Sequence, residues 1–167
     1  QYFFSEGNPA FQLDSAYRYV LDAQNDFQKT SEKERSKLFR FPLDSLLLQD
    51  LREQIETAAY AEPRQVQSEE SWISFILRFP TSAYIPKAKQ QRDSVAYELS
   101  ARENTYIAFE NFLKKYPEAE QFRIAKARYE KLLLEAKTAD QSLQSFEQFL
   151  SEHPTSAYRS FVEQTIF

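Results

Sequence analysis

A chain of 167 residues with 42% apolar and 16% aromatic content is long enough to bury a core and too apolar for global disorder. A net charge of −4 leaves no basic surplus to displace counterions from nucleic acid, and the absence of cysteine removes disulfides and thiolate chemistry. A single glycine disfavours tight-turned strand folds and phosphate-cradling loops, and no apolar run reaches the roughly 18 residues of a membrane span. The sequence starts at Gln1 with neither Met nor a signal peptide, which reads as a processed or cut form.

Residues 1–11 hold the one glycine and Pro9, and read as an irregular lead-in. From Gln12 to Lys29, the spacing of Leu13, Ala16, Tyr17, Val20, Leu21 and Phe27 predicts an amphipathic helix. Ser31 and Glu34 match a capping box for a short helix that would reach Phe39 and stop before Pro42. The alternating charges of residues 31–37 suit its solvated face. Asp44 or Ser45 would cap a helix to about Ala61 with Leu47, Leu48, Leu51, Ile55, Ala58 and Ala59 as its apolar stripe. The polar run Glu62–Ser68 reads as a loop.

Beyond it one pattern recurs at a spacing of 37 residues. Trp72-Ile-Ser-Phe-Ile-Leu-Arg-Phe-Pro80, Phe109-Glu-Asn-Phe-Leu-Lys-Lys-Tyr-Pro117 and Phe146-Glu-Gln-Phe-Leu-Ser-Glu-His-Pro154 stand in one register. Each predicts an A helix, over about 69–79, 103–116 and 140–152, closed by proline. Helix B follows over about 83–101, 120–137 and from 157 onward. Ala88, Ala125 and Val162 superpose, and so do Val95 with Leu132 and Ala96 with Leu133. Leu51, Ala58 and Ala59 extend the register backwards, making residues 43–61 the B helix of a degenerate leading copy. A hairpin cannot bury both of its apolar faces alone, so the paired aromatics of each A helix should pack between hairpins, against small B-helix residues such as Ala58, Ala88, Ala96 and Ala125. The expected domains are a lead-in over 1–41 and a continuous array over 42–167, with an apolar last edge that calls for further chain.

These spaced aromatics, small residues and turn prolines resemble the tetratricopeptide repeat, with a period of 37 where 34 is usual and without the glycine common in the first helix. Phe-x-x-Phe-Leu-x-x-Tyr-Pro followed by Ala125 is similar to repeats of bacterial envelope proteins, including an outer-membrane assembly lipoprotein and a Tol–Pal-associated periplasmic coordinator. The lead from Ala101 to Phe109 looks like repeats of Bacteroidetes envelope proteins. The resemblance implies an all-α, tetratricopeptide-like α-solenoid of right-handed stacked antiparallel hairpins. It also implies a non-enzymatic scaffold for a protein or peptide, periplasmic or outer-membrane-associated, and leaves room for a lipid anchor outside this segment.

Residues able to carry chemistry are sparse. His153 is the only histidine, which is too few for a metal site or a triad, and it occupies the helix-end position of Phe79 and Tyr116. Glu69/Glu70 and Glu118/Glu120 sit at polar helix starts, where carboxylates serve as caps. Lys87, Lys89 and Arg92 are offset by Asp93 and Glu98. Tyr84, Tyr106 and Tyr158 suit either an interface or packing at a helix start. No catalytic residue, metal ligand or cofactor is therefore assigned. The partner surface is assigned to exposed, concave A-helix positions: Ser74, Arg78, Glu110, Asn111, Lys114, Glu147, Gln148 and Glu152. Two other readings stand beside the scaffold: an accessory superhelical domain of a larger peptidoglycan hydrolase or peptidase, and a small-ligand carrier with a roomy apolar cavity.

Overall fold

The computed structural model describes residues 12–35 and 44–166, and these are all-α, with no strand among them. The helices are α1 (Leu13–Lys29), α2 (Glu32–Arg35), α3 (Ser45–Val66), α4 (Glu69–Arg78), α5 (Ile85–Glu103), α6 (Tyr106–Lys115), α7 (Phe122–Lys137), α8 (Leu143–Glu152) and α9 (Arg159–Ile166). Contacts divide the chain into two compact units, Gln1–Lys89 and Gln90–Phe167. The expected lead-in, the end of the short second helix and the Pro42 stop lie outside the described residues.

Two local expectations need correction. The run expected as a loop after Ala61 is helical to Val66, with Pro63 buried inside α3. Proline removes one N–H and crowds the preceding turn. Here the helix continues for three residues beyond it and ends only at left-handed Gln67, whose N–H bonds the Pro63 carbonyl. The capping box at Ser31 is half formed. Glu34 accepts from the Ser31 N–H and hydroxyl, so the hydroxyl acts as donor instead of capping the Glu34 N–H. Asp44 caps α3 as expected, accepting from the Leu47 N–H at 2.7 Å.

In the first unit α1 packs along α3, and α3 on α4. Tyr17 meets Phe79 edge-on at 5.0 Å and shares a 2.7 Å hydrogen bond with the Thr81 hydroxyl. Tyr60 gathers Trp72, Phe75 and Tyr84 within 5.4 Å. On α3 the buried small residue is Ala59, with Ala58 half-buried and Leu47 exposed, so the stripe is narrower than its composition suggests.

The second unit pairs α6 with α7 and α8 with α9, and α7 also packs on α8. One core cluster holds Ala96, Phe109, Phe112, Tyr116, Ala119 and Ala125. A second holds Leu133, Leu134, Phe149 and Val162, with Tyr106 and Tyr158 packed against it. Tyr106 and Tyr158 thus serve packing, as does Tyr84, which stacks on Tyr60 and bonds the Thr57 hydroxyl at 3.0 Å.

Local geometry recurs at the 37-residue offset. Gln67, Asn104 and Gln141 hold positive φ values of 53°, 50° and 53°. The next residues, Ser68, Thr105 and Ser142, are the N-caps of α4, α6 and α8, and each hydroxyl accepts from the third amide beyond it at 3.1 Å. A hydroxyl cap of this kind is worth about 1 kcal/mol. At the other end Phe79, Tyr116 and His153 leave the helix with ψ of 56°, 64° and 59°, a departure from helical geometry suited to the residue before proline.

A carboxylate holds the reversal that follows. Glu56 of α3, 3% exposed, accepts from the Ser82 hydroxyl at 2.9 Å, the Ala83 N–H at 3.0 Å and Arg52 at 2.7 Å. Glu130 of α7 does the same for the Ala157 N–H at 2.8 Å. Asp93 stands midway in this register, but Ala119 replaces the serine and Arg92 claims the carboxylate at 2.7 Å. There Gln121 ties the turn to Ser94 at 2.9 Å instead.

Glu56→Ala strands a cation, a hydroxyl and an amide, and is expected to cost about 3 kcal/mol. Glu130→Ala, losing one half-exposed acceptor, is expected to cost about 1 kcal/mol. Trp72, the only tryptophan, sits in the same unit as Glu56, so its fluorescence through a urea titration reads the first change. An unchanged urea midpoint for Glu56→Ala would remove the carboxylate from its structural role.

Candidate functional site

The positions assigned to a partner surface lie on α4 in the first unit and on α6 and α8 in the second. Ser74, Asn111 and Gln148 stand at one register position and are all exposed. Each lies on the face opposite the buried pairs Trp72 with Phe75 and Phe109 with Phe112, or the buried Phe149. The helical period alone turns them outward.

The charged members other than Glu147 are engaged within the chain. The Arg78 guanidinium forks onto Asp14 of α1 at 2.7–3.0 Å and reaches Glu62 of α3 at 3.4 Å. The Asp14 hydrogen bonds hold its pKa above the usual arginine value. Arg78 therefore works as a tie from α4 to two other helices. Glu110 and Lys114 pair at 3.0 Å one turn apart on α6. Gln148 donates to Glu152 at 2.7 Å, and Lys137 of α7 reaches the same carboxylate at 3.3 Å. Those contacts, Gln148 first and Lys137 second, draw the Glu152 carboxyl below its ordinary 4.5. Ser74, Asn111 and Glu147 are exposed.

His153 is the last capping residue of α8, its ring 5.1 Å from Phe149 and its Nε2 3.8 Å from Glu152. Among the described residues no group of three or more His, Cys, Asp or Glu side chains is placed to hold a metal ion. No helix among them is long and apolar enough to cross a membrane.

Two recesses escaped the sequence reading. In the first unit Gln24, Phe27 and Gln28 of α1 face Leu48, Gln49 and Arg52 of α3 and Tyr84 across a recess of about 590 Å³. In the second unit an apolar groove of about 1000 Å³ runs between the end of α7, α8 and α9. Phe146 lines it. Its register counterparts Trp72 and Phe109 are 1% and 0% exposed, whereas Phe146 packs against the Leu133, Leu134, Phe149 and Val162 cluster as expected but is only half-buried. A signal was present: Leu134 and Thr165 stand where the preceding copy has Tyr97 and Arg128 beside Phe109. No protein-family model, curated protein or solved structure matches the chain.

A carboxylate with a lowered pKa contributes stability above its ordinary value and loses it as pH falls through the folded value. Glu152 is therefore expected to titrate below 4.5 in a carboxyl-carbon NMR titration. In Gln148→Ala the midpoint should move up toward 4.5, and an unmoved midpoint would exclude the Gln148 contact as its main cause.

Proposed function

We propose that the chain is a non-enzymatic scaffold whose hairpins stack as a tetratricopeptide-like α-solenoid of 37-residue period and present their A helices to a protein or peptide. The recurrence of the left-handed residues, hydroxyl caps and proline turns at one offset supports the repeat. One observation carries the binding reading. The buried positions of successive A helices are held to aromatics, while the exposed position between them changes from Ser74 to Asn111 to Gln148. Packing fixes the first set and leaves the second to be set by whatever it meets.

Arg78 leaves this surface, since its donors are spent on Asp14 and Glu62. In the second unit Asn111, Glu147 and Gln148 form its centre, with the paired Glu110, Lys114 and Glu152 as a charged border, and in the first unit Ser74 holds the matching position of α4. Short polar side chains and border charges suit an extended peptide bound through hydrogen bonds. The resemblance of the repeats supports a location in the bacterial envelope, on the periplasmic side or against the outer membrane.

A photo-crosslinking amino acid tests the surface directly. Placed at Asn111 or Gln148 in cells, it is expected to give one discrete adduct. Placed at exposed Arg123 or Lys126 of α7, it should give none. Equal adducts from both helices, or none from either, would overturn the A-helix reading.

A further inference from the structure

The A helices of the second unit differ in how they handle charge. On α6 the Glu110 carboxylate is met one turn later by Lys114 at 3.0 Å. A shift of 37 residues puts Glu147 at the Glu110 position and Ser151 at the Lys114 position. The carboxylate is kept and its cation is removed. The next position runs the same way, since Glu152 stands where α6 has Lys115. α8 therefore carries two carboxylates and no lysine or arginine. Lys137 and Gln148 take up Glu152, which leaves Glu147 as the uncompensated charge of this face. The exposure belongs to the face itself. Ile107, Asn111 and Lys114, the α6 counterparts of Gln144, Gln148 and Ser151, are exposed even with three helices following them.

We infer that α8 seats a basic side chain, an arginine or lysine, of the extended peptide taken by the A-helix face. The inference rests on that reading of the face and adds the partner's charge to it. Gln144 lies one turn before Glu147, Ser151 one turn after it and Gln148 beside it, and all four are exposed. The Gln148 amide nitrogen is spent on Glu152, so its carbonyl oxygen remains as an acceptor next to the Glu147 carboxylate. A carboxylate flanked by neutral acceptors matches a planar guanidinium best, because the fork of N–H donors can engage both kinds of oxygen. An acidic segment would meet two like charges and no cation on this helix.

A photo-crosslinking amino acid at exposed Ser151 reads the segment lying beside Glu147. The adduct formed in cells is digested and sequenced, and an arginine or lysine is expected within about three residues of the crosslinked position. Glu147→Lys is expected to lower the yield about fivefold and Glu147→Gln about twofold, the scale of an exposed ion pair. Circular dichroism checks that both variants keep the helical fold. Glu135→Gln, on α7 and already paired with Lys131, should leave the yield unchanged. Exchanging the partner's basic residue for Glu should restore the adduct with Glu147→Lys. No adduct at Ser151, a crosslinked segment without a basic residue, or a yield indifferent to Glu147→Lys would overturn the inference. Adducts at Asn111 and Gln148 in that case keep the A-helix reading, whereas their absence as well removes both.

Discussion

Every reversal after an A helix leaves amide groups outside the helical ladder, and the architecture rests on how they are satisfied. In the first unit a single carboxylate, Glu56, takes the Ser82 hydroxyl and the Ala83 amide while Arg52 holds it from behind. The arrangement stabilises only as a set, because the loss of one partner leaves a buried charge or donor uncompensated. The second unit shows how far the device can be reduced. Glu130 serves one amide, and Asp93 surrenders its role to Arg92, which also stacks on Tyr116 at 4.5 Å. The connection between a B helix and the next turn is therefore maintained by different chemistry in successive copies.

That variability contrasts with the A helices themselves. Their ten-residue length, hydroxyl cap and proline exit repeat closely in α4, α6 and α8. Two aromatics three apart fix which side is buried, and the polar remainder is left to the surface. Charges on that remainder are largely spent inside the chain. Ser74 and Asn111 are short and uncharged, a composition suited to hydrogen bonding with backbone more than to steering by long-range fields.

The A helices were legible in sequence because aromatic spacing and proline are both strong, local signals. Pro63 misled for the same reason: a helix breaker read locally hides a helix whose face is already buried against neighbours. The links before each A helix carried a signal that was passed over, an amide residue followed by a hydroxyl residue at Gln67-Ser68, Asn104-Thr105 and Gln141-Ser142. The surface was harder. Arg78 bonds Asp14, 64 residues away, and no periodicity reveals such a partner. The groove at Phe146 required comparing not the aromatic itself but the size of residues around it, Leu134 and Thr165 against Tyr97 and Arg128.

The left-handed residues have a wider bearing. A non-glycine side chain in this conformation costs on the order of 1 kcal/mol, and here the cost recurs in a chain that carries a single glycine. Each such residue sets the direction in which the following A helix departs. An insertion or deletion of a few residues within a helix between two of them would turn that helix's apolar face away from its pockets. Tolerated length change is thereby quantised in this architecture. Whole periods can be gained or lost at these points with every local bond preserved, and fractional ones cannot.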